Sequence, residues 1–304
     1  MAISRTQLVK ELEPGLNALF GLEYKRYENQ HAEIYVTESS DRAFEEEVML
    51  SGFANAQTKA EGSGVAFDSA QETYTARYTH DTIALAFAIT EEAIEDNLYD
   101  RISSRYTKAL ARSMSNAKQV KAVTPLIDGL PSTDGFDSGD GVSLFNTAHT
   151  TVSGTNVKNT LTTQADLNET SLEQSLIDIA AMTDERGLRI AARGVKMIIP
   201  SANQFTAERL MKSQGRTGTA DNDINAIGSM GMIPQGYRVN NYLTDSDAFY
   251  IITDVPNGMK MFQRAPLKTA MEGDFDTGNV RYKARERYSF GVSDPRGIFG
   301  VEGV

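Results

Sequence analysis

Apolar residues recur along this chain in two rhythms, and the place where one gives way to the other divides it. Up to residue 89 the period is two. Ile83, Leu85, Phe87 and Ile89 alternate with Ala84, Ala86 and Ala88, which predicts a strand with one bulky face and one small face. Residues 73–79 alternate as well, with Tyr74 and Tyr78 set among polar positions. A partner run at 44–58 and the triplet Gly62, Ser63, Gly64 predict a long two-stranded hairpin with a flexible tip. Such a hairpin has few bulky apolar side chains to bury against its own domain. It is either a loose surface loop or an arm that rests on another subunit, because an exposed edge is otherwise a hazard.

From Thr90 the period becomes 3.6. Ile94, Leu98, Ile102, Tyr106, Leu110, Met114, Ala117 and Val120 recur at spacings of three or four, the apolar stripe of an amphipathic helix. Thr90 is placed as N-cap, with Glu91, Glu92, Glu95 and Asp96 in the first turns, Lys118 and Lys121 in the last, and Pro125 just beyond. Acid at the start and base at the end complement the helix dipole by roughly a few tenths of a kcal/mol each. Without Gly or Pro across 91–122, one helix would run about 48 Å, far beyond the mean of about 11–12 residues. The alternative is two shorter helices with a break near 113–116.

The middle of the chain reads as α/β. Residues 128–141 form a loop by their turn residues. Asp134, Asp137 and Asp140 recur there every third residue, which is not the every-second spacing of a calcium loop. Leu172, Leu176, Ile179 and Ala180 make a helical face that stops at Gly187. Residues 195–199 are a buried strand, and 201–204 a capping box opening a helix that carries Phe205, Leu210 and Met211. The segment 214–230 is rich in Gly, Asp and Asn and lacks a phosphate-binding Lys, so it predicts a mobile loop rather than a nucleotide cradle. Strands follow at 237–242, 249–253 and 280–292, the last alternating apolar or aromatic residues with mainly basic and polar ones. No internal repeat is visible, which removes solenoids and propellers.

Composition sharpens this picture. The 304 residues suffice for one large domain or two ordinary ones. Lys and Arg number 30 against 41 Asp and Glu, a net charge of −11, which argues against nucleic-acid affinity driven by counterion release. The acidity is concentrated. Residues 41–100 hold 13 acidic and 3 basic side chains, whereas 101–122 hold Arg101, Arg105, Lys108, Arg112, Lys118 and Lys121 with no acid. Cys is absent, so disulfides, thiol nucleophiles and thiolate metal sites are excluded. His31, His80 and His149 are scattered and lie in no catalytic motif; His80 reads as a solvated strand position. No apolar run approaches the roughly 20 residues of a membrane helix, and no signal peptide opens the chain. These features predict no enzyme, no cofactor, no metal site and no membrane contact.

A polar N-terminal arm, a long hairpin, one long helix, an α/β middle and a final strand ending in residues 288–300, Tyr-Ser-Phe-Gly-Val-Ser-Asp-Pro-Arg-Gly-Ile-Phe-Gly, follow one another. This succession resembles the major capsid proteins of tailed bacteriophages over essentially the whole chain. The resemblance implies an α+β phage major capsid fold, with residues 1–47 as N-terminal arm and 48–89 as the E-loop hairpin that reaches over a neighbour. It further implies 90–124 as the spine helix of the peripheral domain, 125–277 as the axial domain and 278–304 as the returning peripheral strand. Implied with it are self-assembly as hexamers and pentamers around double-stranded DNA in the virion, assembly in the bacterial host cytoplasm, a portal, and in some members a decoration protein. The hairpin begins within about 50 residues of Met1, so a separate scaffolding protein is expected.

A shell subunit needs flat elements that tile and many modest contacts multiplied by symmetry. The candidate inter-subunit residues are Phe53, Lys59, Phe67, Tyr74, Arg77, Tyr78, Arg101, Arg105, Arg285 and Arg287. The acidic hairpin base and helix start would face the basic stretches 101–121 or 281–287 of an adjacent copy, unless both are ordinary solvated faces. A few relatives form Lys–Asn isopeptide cross-links; Lys59 with Asn279 is the pair so placed here, an unbonded surface lysine being the plainer reading. An acidic shell would let packaged duplex slide, which tight, salt-sensitive DNA binding by the isolated subunit would contradict. An encapsulin-type compartment shell, with a cargo pocket near a helix at 6–20, and an α/β enzyme with an unrecognised site are the alternatives.

Overall fold

The computed structural model describes residues 5–90, 92 and 93, 99–133, 135–215, 223–274 and 278–304, with side chains from Pro14 onward and, in the long helix, from Ser103 onward. Helix α1 (Arg5–Tyr24) is followed by strands β1 (Val36–Ser39), β2 (Phe44–Leu50), β3 (Glu72–Thr79) and β4 (Asp81–Ile89), then by the long helix α2 (Tyr99–Asp128). The short pair β5 (His149–Thr150) and β6 (Asn156–Val157) leads to α3 (Glu169–Ala181), β7 (Gly194–Ile199), α4 (Gln204–Lys212), α5 (Ala226–Met230) and β8 (Tyr237–Val239). The chain closes with β9 (Phe249–Thr253), β10 (Met259–Gly273), β11 (Val280–Val292) and β12 (Ile298–Val301).

Two four-stranded sheets organise these elements, in the orders β1-β10-β11-β4 and β12-β9-β7-β8. In the second, alternate residues of each strand enter two different cores. Met197, Ile199, Phe249, Ile251, Phe299 and Val301 pack with Leu172, Leu176 and Ile179 of α3. On the opposite face Ile198, Tyr250 and Ile298 join Leu126 of α2, Phe145 and Tyr288. The first sheet buries one face along its length, where Tyr282 and Ala284 of β11 pack with Leu16 and Phe20 of α1 and with Leu110, Ala111 and Met114 of α2; its other face is covered only towards Phe262, Ser289 and Gly291, by Tyr78 and His80. Beneath α2, Lys118 meets Glu286 at 3.3 Å, both almost fully buried, and Tyr24 donates to the same carboxylate. Burial pushes the Glu286 carboxyl up despite the lysine.

Several expectations are corrected. Pro125 lies inside α2: the Gly129 N–H still reaches the Pro125 carbonyl at 3.2 Å and the Tyr250 hydroxyl takes the Leu126 carbonyl, so the last turn is satisfied beyond the proline. Within the stripe, Leu110 and Met114 are buried but Tyr106 and Val120 are exposed, because each step of four residues walks about 40° round the helix. The buried face instead includes Ser103, Thr107, Ser115 and Gln119. Ile94 and Leu98 lie outside the described residues, as does the side chain of Ile102. The helix near 172 ends at Ala181, before Gly187, and the capping box belongs to it: Asn168 accepts from the Ser171 N–H while Ser171 caps in return. Residues 201–203 form a 3-10 turn without a side-chain cap. The strand read at 237–242 stops at Val239, and the segment 214–230 contains α5, capped by Asn225. The 15-residue strand β10 was not expected at all.

Candidate assembly surfaces

The hairpin is β2 paired with β3, from Phe44 opposite Thr79 to Leu50 opposite Glu72; β4 is not its second arm but pairs with β11. Its base is held by the alternation of β3, whose Ala76, Tyr78 and the following His80 point inward. The Tyr78 ring packs edge-on to Phe262 at 4.8 Å and lies on Gly291, where an added methyl would sit 2.6 Å from a ring carbon. The Tyr78 and Ser293 hydroxyls meet at 2.5 Å, and Ser293 donates to Glu47. Lys260 holds Glu47 at 2.5 Å and Glu38 at 3.2 Å. Burial opposes its charge, but the two carboxylates prevail and its pKa is raised. Tyr78 is therefore spent inside the chain, which corrects its assignment to an inter-subunit contact.

His80 corrects another expectation. It is buried rather than solvated, with Nε2 at 2.9 Å from the Ser40 hydroxyl and Nδ1 at 2.9 Å from the Ser289 hydroxyl. Ser40 donates to Glu45 at 2.6 Å, so it accepts from Nε2–H. Burial, then the nearby Arg287 charge, hold the imidazole below its ordinary pKa.

A second polar cluster fastens the hairpin to the rest of the molecule. Tyr74 donates to the Ser293 carbonyl at 3.4 Å. Beside it Arg296 pairs with Asp294 at 2.8 Å and Glu185 at 3.4 Å and donates to the Thr183 carbonyl. Burial raises the Glu185 carboxyl even so. Asp140 takes His149 Nδ1 at 2.6 Å, while His149 Nε2 faces Asn159 at 3.1 Å. Together these residues enclose only about 10 Å³. Among the described residues no cluster of three or more His, Asp or Glu is arranged to hold a metal; Asp134 lies outside them. The larger clefts, about 580 Å³ between Asn168 and Arg209 and about 280 Å³ between Glu33 and Arg238, are open and lined by both polar and apolar side chains.

Beyond this base the hairpin is bare. Every residue from 53 to 72 is exposed, Phe67 at 98% and Phe53 at 61%. A turn at the tip brings the Ser63 N–H to the Ala60 carbonyl, and Asp68 ties the Ala54 N–H at 2.7 Å. Lys59 is exposed here; the Asn279 carbonyl, at the far end of β11, accepts from Asp274 N–H. Arg77 stands 4.1 Å over the Phe44 ring and 3.8 Å from Glu46. Arg105 is exposed on α2, and Arg285 and Arg287 lie on the open face of β11. The side chain of Arg101 lies outside the described residues. The structure thus brings Tyr74, Tyr78 and Arg77 to the hairpin base, Phe53, Lys59 and Phe67 to its tip, and the β11 arginines to a separate sheet face. Lys260, Glu47, Glu185 and Arg296 were missed; only the compact Ser293–Gly297 turn hinted at them, through Asp294 accepting from the Arg296 N–H.

The family model for phage capsid protein matches residues 72–301. The chain belongs to the phage capsid protein family. No curated protein matches it. Solved structures of the same fold include Mycobacterium phage Patience, at 13% identity over 99% of this chain and 89% of that one with a TM-score of 0.56. The capsid of Myoviridae Phage XM1 follows at 11% identity, 89% and 90% coverage and 0.54. The holo-SrpI encapsulin complex from Synechococcus elongatus PCC 7942 shares 10% identity, with 91% and 88% coverage and 0.54. The mixed α+β architecture is therefore that of phage capsid proteins, and this capsid protein has a structural role in the virion. Among the described residues no helix is long and apolar enough to cross a membrane.

Proposed function

We propose that this capsid protein assembles as pentamers and hexamers into the icosahedral head that encloses the double-stranded DNA of a tailed phage, in the cytoplasm of its host. Its working partners are further copies of itself, a separate scaffolding protein, a portal, and the packaged DNA in non-specific contact. In this reading the hairpin is the arm that straps a neighbouring subunit, α2 is the spine of a peripheral domain, and the β12-β9-β7-β8 sheet lies in an axial domain. The observation that carries it is the bare stretch from 53 to 72, with Phe67 at 98% exposure: an anchored hairpin whose aromatic tip touches nothing has its partner outside the chain.

Deleting residues 55–71 should leave a soluble protein with unchanged melting, because no core residue is removed, yet no closed particles in negative-stain microscopy. Normal particles from that variant would refute the strap. The encapsulin likeness supports a second reading, a compartment shell around protein cargo. Particles purified from infected or producing cells separate the two: packaged duplex DNA supports the head, co-purifying protein cargo the compartment.

A further inference from the structure

Between its anchored base and its bare tip the hairpin has a joint. The β2–β3 ladder ends at Leu50 and Glu72. One step further, the Ser51 N–H reaches the Gln71 carbonyl at 2.9 Å and the Gln71 N–H returns to the Ser51 hydroxyl at 3.0 Å. Ser51 is buried. At the next residue the chain leaves the strand: Gly52 has φ +66°, with open space where a side chain would stand, a conformation that L-residues rarely adopt. Beyond that hinge, Asp68 ties the two limbs by accepting from the Ala54 and Ser69 N–H groups at 2.7 and 2.8 Å. The next tie is the tip turn, from Ser63 to Ala60.

Just past the hinge, Arg186 donates to the Ser69 carbonyl at 2.6 Å. Among the described residues this is the one hydrogen bond that joins residues 53–70 to anything outside the hairpin. The same side chain supports Asp68, whose carboxyl is held below its ordinary range first by the Ala54 and Ser69 N–H groups and then by the Arg186 charge. Arg186 stands on a turn that is itself fixed. The Asp184 carboxylate accepts from the Arg186 and Leu188 N–H groups at 2.9 and 2.8 Å, and Thr183 bridges Arg189. Glu185 meets the buried Arg296 at 3.4 Å, and its carbonyl accepts from the Ser153 N–H. The Arg186 Nε is shut away from solvent, so the side chain leaves the turn along one path and its outer nitrogens reach the arm. The leverage is large. Ser69 lies two residues beyond Gln71, about 7 Å along an extended chain, whereas the limbs, folded at their turn, extend up to about 30 Å. Slack at Ser69 is magnified about four-fold at the tip.

We propose that Arg186 is a positioning residue for assembly, a strut that fixes the direction in which the hairpin arm leaves its own subunit. This role rests on the strap reading above and adds what aims the strap before any neighbour is met. An arm aimed in advance gives up less freedom when it lands, and the advantage recurs at every copy in a closed shell. A guanidinium suits the task, because its bond to a carbonyl is charge-assisted and its planar fork is pre-organised.

The chain has no Cys, so Ser63→Cys with Ser229→Cys accepts two spin labels, one at the tip and one on the exposed surface of α5. Their separation is measured in soluble subunits, below the concentration at which particles form. The distribution should be narrow with Arg186 present, and Arg186→Ala should at least double its width while leaving the urea midpoint unchanged. In light scattering, Arg186→Ala should need at least about five-fold more subunit to form particles, and Arg186→Lys, which keeps a cationic donor, should recover part of that loss. Ser69→Cys with Arg186→Cys, joined by a short bis-maleimide, replaces the strut with a covalent link and should restore assembly. An unchanged distance distribution in Arg186→Ala would overturn the strut. A broadened one with normal assembly would overturn its role in assembly and leave the strap standing. Bridged subunits that assemble no better than Arg186→Ala would do the same. A lowered urea midpoint in Arg186→Ala would make Arg186 a stabilising residue of the fold and end the proposal. Normal particles after deletion of residues 55–71 would refute the strap itself, and the strut's purpose with it.

Discussion

The two four-stranded sheets of this capsid protein bury their side chains in opposite ways. In β12-β9-β7-β8 both faces are closed by the chain itself, and Phe249, Tyr250, Ile251, Ile298 and Phe299 are inaccessible to solvent. In β1-β10-β11-β4 one face is sealed by α1 and α2, while the other shows Arg281, Lys283 and Arg285 beside exposed alanines. The first sheet is finished by folding. The second is finished on one side and, on the other, only where the hairpin base covers Phe262, Ser289 and Gly291; the rest of that side is open and basic. A subunit whose neighbours are copies of itself can leave such a face bare, because symmetry supplies the cover many times over.

The sharpest way to break this contrast is one charge on each sheet. Ile251→Asp sets an unpaired carboxylate between α3 and β12 and should cost several kcal/mol, abolishing the cooperative fold. Ala86→Asp lies on the open face and should shift monomer stability by no more than about 0.5 kcal/mol. Equal effects in urea melts would show that the two sheets do not differ as described.

A smaller effect tests whether the sealed face of the second sheet is as dry as the enclosed one. His31 lies there, edge-on to Phe290 of β11. The Gln119 carbonyl accepts from the His31 N–H, so its amide donates to Nδ1, each at 2.9 Å. Burial, then the Lys118 charge, lower the imidazole pKa from 6.5 to about 4. The folded protein thus disfavours a proton that the unfolded chain accepts. The associated stability is fully present above about pH 6.5 and falls away as the pH drops towards 4, by up to about 3 kcal/mol. Urea melts between pH 7 and 4 on the tip-deleted monomer, with and without His31→Gln, measure it. An unchanged slope in the variant would place His31 in contact with water.

The smallest effect belongs to the outer side of the hairpin. Arg77 covers Phe44 and pairs loosely with an exposed Glu46, so Arg77→Ala should cost roughly 0.5–1 kcal/mol. A loss of several kcal/mol would mean that the hairpin base depends on its outer surface rather than on Tyr78, Glu47 and Lys260.

What the sequence disclosed follows the same divide. The alternation at 83–89, the polar hairpin arms and the long helix were legible because each repeats a local period. β10 was not, since Met259, Lys260, Met261 and Phe262 are all buried and therefore show no alternation. Pro266 and the irregular register between Gln263 and Lys268 break its pattern further along. His80 looked like a solvated strand residue because its neighbours are polar; only the approach of Ser40 and Ser289, distant in sequence, buries it. The tip aromatics Phe53 and Phe67 were legible as candidates, whereas Tyr78 was misassigned because its partner is a glycine, Gly291, whose lack of a side chain makes the space. Lys260 gave no local signal, because its partner Glu47 is distant in sequence; Arg296 had one in Asp294, two residues before it, but its second carboxylate, Glu185, is distant too.

The central claim is that the open face of β11 and β4 is covered by assembly. With no native Cys, Ala86→Cys carries a single thiol at the middle of that face, and its rate of reaction with a water-soluble thiol reagent can be followed before and after particles form. The account predicts rapid labelling of the unassembled subunit, protection of at least about ten-fold in particles, and loss of particles together with protection as added salt shortens the screening length from about 10 Å at 0.1 M to about 3 Å at 1 M. Equal labelling in subunits and intact particles would contradict it.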